Sequence, residues 1–134
     1  MRWKIETDRL QCIWPLGFSV RGTPFYGDWA FELFDGSTMS DAMVFFVGPY
    51  LREDAPAPDQ LVGMGQSVID EDMDDGEMWL ELEYEHGGVP WRQRRQFVTV
   101  EHDMVVVVTG QAPFGQHEAV FNAVDQVAKS VRYI

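Results

Sequence analysis

Residues 77–100 read EMWLELEYEHGGVPWRQRRQFVTV, and this stretch decides the fold. From Glu77 to Glu85 two kinds of residue alternate: Met78, Leu80, Leu82 and Tyr84 against Trp79, Glu81, Glu83 and Glu85. A period of two is the mark of a strand with one face buried. Gly87-Gly88 then supplies two residues that accept positive φ, as a two-residue hairpin turn requires. Such a turn fixes the register. Tyr84 faces Trp91, Glu83 faces Arg92, Leu82 faces Gln93 and Glu81 faces Arg94. One aromatic pair and two opposite-charge pairs result, each contributing a few tenths to about 1 kcal/mol. A slip of one residue would lose all three.

Working outward, a second hairpin follows the first. Gln96 to Val100 runs up, Glu101-His102-Asp103 turns, and Met104 to Thr109 returns as a central strand apolar on both faces. A helix over about 116–131 carries a stripe of Ala119, Val120, Ala123, Val124, Val127, Ala128 and Val131 that must dock on the sheet. On the other side, strands are expected at Leu10–Trp14, Ser19–Arg21 and Trp29–Phe34, with loop over 22–28 and a turn at Asp35-Gly36. Ala42 to Val47 is continuously apolar and suits a strand buried on both faces, stopped by Gly48-Pro49. Asp59 can cap a helix over about 60–69, where Leu61, Met64, Gly65, Val68 and Ile69 share a face. Gly63 and Gly65 each cost that helix about 1 kcal/mol relative to Ala. The sum is one α+β domain over residues 1–134. It has an antiparallel sheet of about six strands and two main helices, one after the strand near 42–47 and one at the C-terminus.

Net charge is −12, and its excess sits in one place. Residues 53–86 hold twelve acidic groups and no Lys or Arg. Phosphate contacts need Lys and Arg, so nucleic acid is disfavoured as a partner, and an anionic membrane with it. A solvated acidic face or a surface for another protein fits better. Asp70, Asp72, Asp74 and Asp75 form the candidate acidic recognition segment. An EF-hand loop starting at Asp70 would place Asp72, Asp74 and Glu81 at ligand positions. Gly76 arrives one residue late, and a strand follows where a helix is needed, so an acidic turn is preferred.

Cys12 is the single cysteine and lies in an apolar run, so it reads as a buried structural thiol in a reducing compartment. The first residues lack a signal peptide's apolar core, which points to the cytoplasm. His86, His102 and His117 match no zinc spacing, and no nucleophile or phosphate-loop motif is present. No cofactor, metal or catalytic residue is therefore assigned.

Arg95 and Gln93 fall on the side of Leu80 and Leu82. A covered core would exclude Arg, so this side is either a partly open groove, the preferred reading, or Arg95 has a buried carboxylate. Leu80, Leu82, Trp91, Gln93, Arg95 and Phe97 make the candidate binding face.

The segments WRQRRQFVTVEHDMVVVVTGQAP (91–113) and AKSVRYI (128–134), with the earlier WPLGF (14–18), resemble the DcrB and PsbP/Mog1-like group. That resemblance implies an α/β/α sandwich and a binding protein, similar to small chaperones of type VI secretion effectors, which often form homodimers. The expectation is a non-catalytic cytosolic domain that binds another protein, an effector or a toxin, as a chaperone or immunity protein. A small-ligand or lipid-binding module and a small hydrolase are the alternatives.

Overall fold

A computed structural model describes residues 3–7, 10–22, 31–34, 42–74, 77–100 and 103–133. These residues form ten strands, β1 Lys4–Glu6, β2 Leu10–Ile13, β3 Ser19–Gly22, β4 Phe31–Phe34, β5 Met43–Leu51, β6 Ser67–Asp74, β7 Glu77–His86, β8 Val89–Val100, β9 Met104–Pro113 and β10 Arg132–Tyr133. One α-helix, α1, spans His117–Ser130. Seven strands form the main sheet in the order β3-β4-β5-β9-β8-β7-β6, and a small sheet runs β1-β2-β10. Every pairing is antiparallel.

The deciding hairpin forms in the expected register. Tyr84 lies opposite Trp91, Glu83 opposite Arg92 and Glu81 opposite Arg94. Gly87 and Gly88 sit at φ 62° and 77°, the conformation of a primed two-residue turn. The Arg94–Glu81 ion pair closes at 2.7 Å and Arg92–Glu83 at 3.6 Å. The second hairpin, β8–β9, is longer than expected and is the centre of the sheet. Its turn residues Glu101 and His102 lie outside the described residues.

The α/β/α sandwich with two main helices is overturned, because the described residues form one α-helix and are otherwise mostly strand. The stretch expected as a helix over 60–69 is a short 3-10 turn at Pro58–Leu61, a bend, and the start of β6. Gly65 adopts φ 80°, which ends any helix there. Beyond it Ser67 and Val68 pair with Glu83 and Leu82. Ladder bonds to a neighbouring strand outweigh a helical spacing that two glycines had already weakened.

A smaller correction concerns β5. Val44 and Phe46 are buried while Met43, Phe45 and Val47 are half-buried, so the strand alternates rather than being buried on both faces. It also continues through Gly48-Pro49 to Leu51, with the register shifting between Val47 and Tyr50. A bulge is where a central strand can absorb a Pro. β9 does match its expectation, with Val105 to Gly110 all buried. The expected strand start at Trp29 and Ala30, the loop over 23–28 and the Asp35-Gly36 turn lie outside the described residues.

α1 lies against β9 and β8, and also touches β2 and β5. Val120, Ala123, Val124, Val127 and Ala128 form its buried stripe. The sheet face beneath it carries Val106, Val108, Gly110 and Ala112. A Cβ on Gly110 would stand 2.4 Å from Val124 Cγ2, so glycine is what lets the helix approach this closely. No helix among the described residues is long and apolar enough to cross a membrane.

Candidate functional site

The opposite face of the main sheet holds the candidate binding residues. Register sets them in rows: Tyr84–Trp91–Pro113, Leu82–Gln93–Gln111–Met43, Leu80–Arg95–Thr109–Phe45 and Met78–Phe97–Val107–Val47. The six candidates therefore do share one face. Leu80, Leu82, Trp91, Gln93 and Phe97 are buried, however, and only Arg95 keeps part of its surface exposed. The middle of this face is a polar cluster. Gln93 Nε2 and the Tyr84 hydroxyl both donate to Gln111 Oε1, at 3.1 and 3.3 Å. Arg95 Nη1 donates to Thr109 Oγ1 at 3.5 Å, while Arg95 Nε and Gln93 Oε1 are buried with no partner. Among the described residues no carboxylate lies within 4 Å of Arg95. Burial lowers its pKa from the ordinary guanidinium value, opposed by Tyr84 and then Tyr50.

The acidic segment forms the far edge of the same sheet. Asp70 and Asp72 lie in β6, opposite Glu81 and Trp79, and Asp74 ends that strand opposite Glu77. Asp75 lies outside the described residues. Asp70 to Asp74 is extended strand paired with β7, so the expected acidic turn is not formed over these residues, nor is an EF-hand loop. Asp70 and Glu71 are exposed. Carboxylates along an edge strand discourage a second chain from pairing with it, which gives this charge a structural role. Asp70 stands across from a like charge at Glu81. Arg94 offsets it by pairing with Glu81 and lying 4.2 Å from the Trp79 ring centre.

A surface that the sequence reading passed over lies on the small sheet. β1 and β2 pair Lys4 with Ile13 and Ile5 with Cys12. One step further, Trp14 N–H donates to Trp3 O at 2.8 Å, so the two indoles stand on adjacent strands. Register puts them on the side that carries Ile5 and Cys12, which are buried in the main core. Yet Trp3 is 69% and Trp14 38% exposed, and Leu16 at the following turn is 95% exposed. Trp14 is fixed in place by its indole N–H, which donates to Phe18 O at 2.7 Å. The flanking hollow brings Lys4, Lys129 and Arg132 together. Neither Lys4 nor Arg132 has a carboxylate within 4 Å among the described residues, whereas Lys129 pairs with Asp125 at 2.9 Å. The available signal was Trp3 one residue before a strand and Trp14 one residue after its neighbour. It could have been found had β1 been recognised.

The described histidines serve packing. His86 meets the Trp91 ring edge-on at 5.3 Å, and His117 lies between Phe114 and Phe121. His117 Nδ1 accepts the Gly115 N–H at 3.2 Å. Cys12 is buried, and burial pushes its thiol from 9.0 up to about 12, so it is protonated and poorly nucleophilic at neutral pH.

Neither a protein-family model nor a curated protein matches the chain. Among solved structures it is similar to the crystal structure of LpqN, involved in cell envelope biogenesis of Mycobacterium tuberculosis. The TM-score is 0.63 at 9% identity, over 99% of this chain and 90% of that one. At that identity the likeness shows the fold alone.

Proposed function

We propose that this chain is a non-catalytic domain that binds another protein through the Trp3–Trp14–Leu16 surface. The observation that carries the reading is the exposure of these three large apolar side chains side by side. Folded proteins seldom leave two indoles and a leucine together in water unless a partner covers them. Trp is also the residue most enriched at interface hot spots. The acidic edge at β6 acts as a solvated guard of that edge of the main sheet.

The test is site-specific photo-crosslinking. A photoreactive residue placed at position 16 is expected to capture one protein in the native host. The same group at exposed Glu71 should not. Equal capture at both positions, or self-crosslinking alone at position 16, would contradict the reading.

A further inference from the structure

A second recognition site lies away from the tryptophans. The stretch Arg52–Pro58 packs on the end of the non-helix face, and an open hollow of about 610 Å³ lies between it, the end of β8 and the last turn of α1. Met78, Phe97 and Val105 form its apolar wall, with Pro56 on the facing side. Arg52 supplies the charge, since Lys129, which also lines the hollow, is paired with Asp125 at 2.9 Å, and no Asp or Glu lines it among the described residues. In a protein of net charge −12, a hollow lined by Arg52 and by no carboxylate runs against the overall composition. Arg52 is exposed and has no carboxylate within 4 Å among the described residues. Arg95 adds to the local field. It precedes Phe97 by two positions on the same face, about 7 Å along the strand. Its Nε is buried and unbonded. The volume is that of a small-molecule site, and an apolar wall with a few placed cations is the usual composition of one.

We propose that this hollow binds a small carboxylic acid with an apolar chain. The chain lies on Met78, Phe97 and Val105, and the carboxylate is held by Arg52. Guanidinium and carboxylate match in charge and fork geometry, so Arg52 sets the preference for an acid over a neutral ligand of equal length. The site uses none of Trp3, Trp14 and Leu16, although Lys129 borders both hollows.

Titration of the ¹⁵N-labelled protein with decanoate, kept below its micelle concentration, tests this. Amide shifts should saturate at Ala55, Phe97 and Val105. Decanol and acetate should each bind roughly tenfold more weakly, the first for want of charge and the second for want of apolar surface. Arg52→Gln, a change at an exposed side chain, should weaken decanoate by about tenfold and leave decanol unchanged. Absence of saturable shifts would overturn the proposal. So would equal affinity for decanoate and decanol, indifference to Arg52→Gln, or shifts confined to Trp3, Trp14 and Leu16.

Discussion

Two aromatic pairs stand on antiparallel strands of this protein, and they end in opposite environments. Tyr84 and Trp91 stack at 6.4 Å in the main sheet, and Trp91 is 1% exposed. Trp3 and Trp14 stand one residue beyond the paired strands β1 and β2 of the small sheet, and both are open to solvent. The local chemistry is the same: large rings on neighbouring strands, held by a backbone ladder. What differs is the layer above them. Trp91 belongs to the core, with the His86 ring against it. Beside the two indoles, α1 contributes only the polar Asp125, Gln126 and Lys129 to the hollow that they line. Aromatic pairing therefore builds a ladder, but the surrounding layers decide whether the pair stabilises the fold or recognises something else.

The largest expected effect comes from the buried pair. Trp91→Ala should cost about 3–5 kcal/mol in urea unfolding, a large share of the stability of a domain this size. A cost near that of an exposed site would mean that the two pairs are not distinguished by burial. Next is the contact that seats the layer above the sheet. Gly110→Ala forces a Cβ to within 2.4 Å of Val124 and 2.8 Å of Val120. Overpacking of this kind should cost about 1–3 kcal/mol. Adding Val124→Ala to Gly110→Ala should make the pair of changes cost less than the sum of the two single ones, because the closer of the two clashes is removed.

Cys12 sharpens where cover ends along one strand, since it is buried two residues before exposed Trp14. Its thiol pKa is raised from 9.0 to about 12 in the folded state. The unfolded chain therefore releases its proton first as pH rises. The stability that this group contributes is complete below pH 9.0 and declines as pH rises towards about 12. Unfolding midpoints should fall across that window, and Cys12→Ala should flatten the fall. Thiol alkylation at neutral pH should require unfolding. The smallest effect on stability is expected at the open pair, where Leu16→Glu and Trp3→Ala should each change it by no more than about 0.5 kcal/mol.

The same contrast marks what the sequence could show. The β7–β8 register was legible because Gly87-Gly88 fixed the turn and three complementary pairs fell into place beyond it. β9 was legible from its valines and α1 from its apolar stripe. Residues 60–69 were misread because Leu61, Met64 and Val68 happen to keep helical spacing, while β6 exists through its ladder with β7. A long-range pairing leaves no local period to read. The grouping of Leu80, Leu82, Gln93 and Arg95 on one face was legible for the same reason as the hairpin. Their burial was not, since it depends on how elements distant in sequence pack. Trp3, Trp14 and Leu16 escaped notice because a three-residue strand is too short to show alternation. Their exposure is a property of the assembled layers.

The most direct test of the tryptophan surface as a docking site is quantitative copurification from the native host, comparing the wild-type chain with Leu16→Glu. The tryptophan surface predicts one protein recovered near equal stoichiometry with the wild type. Recovery should fall at least tenfold with Leu16→Glu while the thermal midpoint is unchanged, since a buried charge opposite an apolar partner costs more than about 1.4 kcal/mol. The same protein recovered equally by both chains would contradict it.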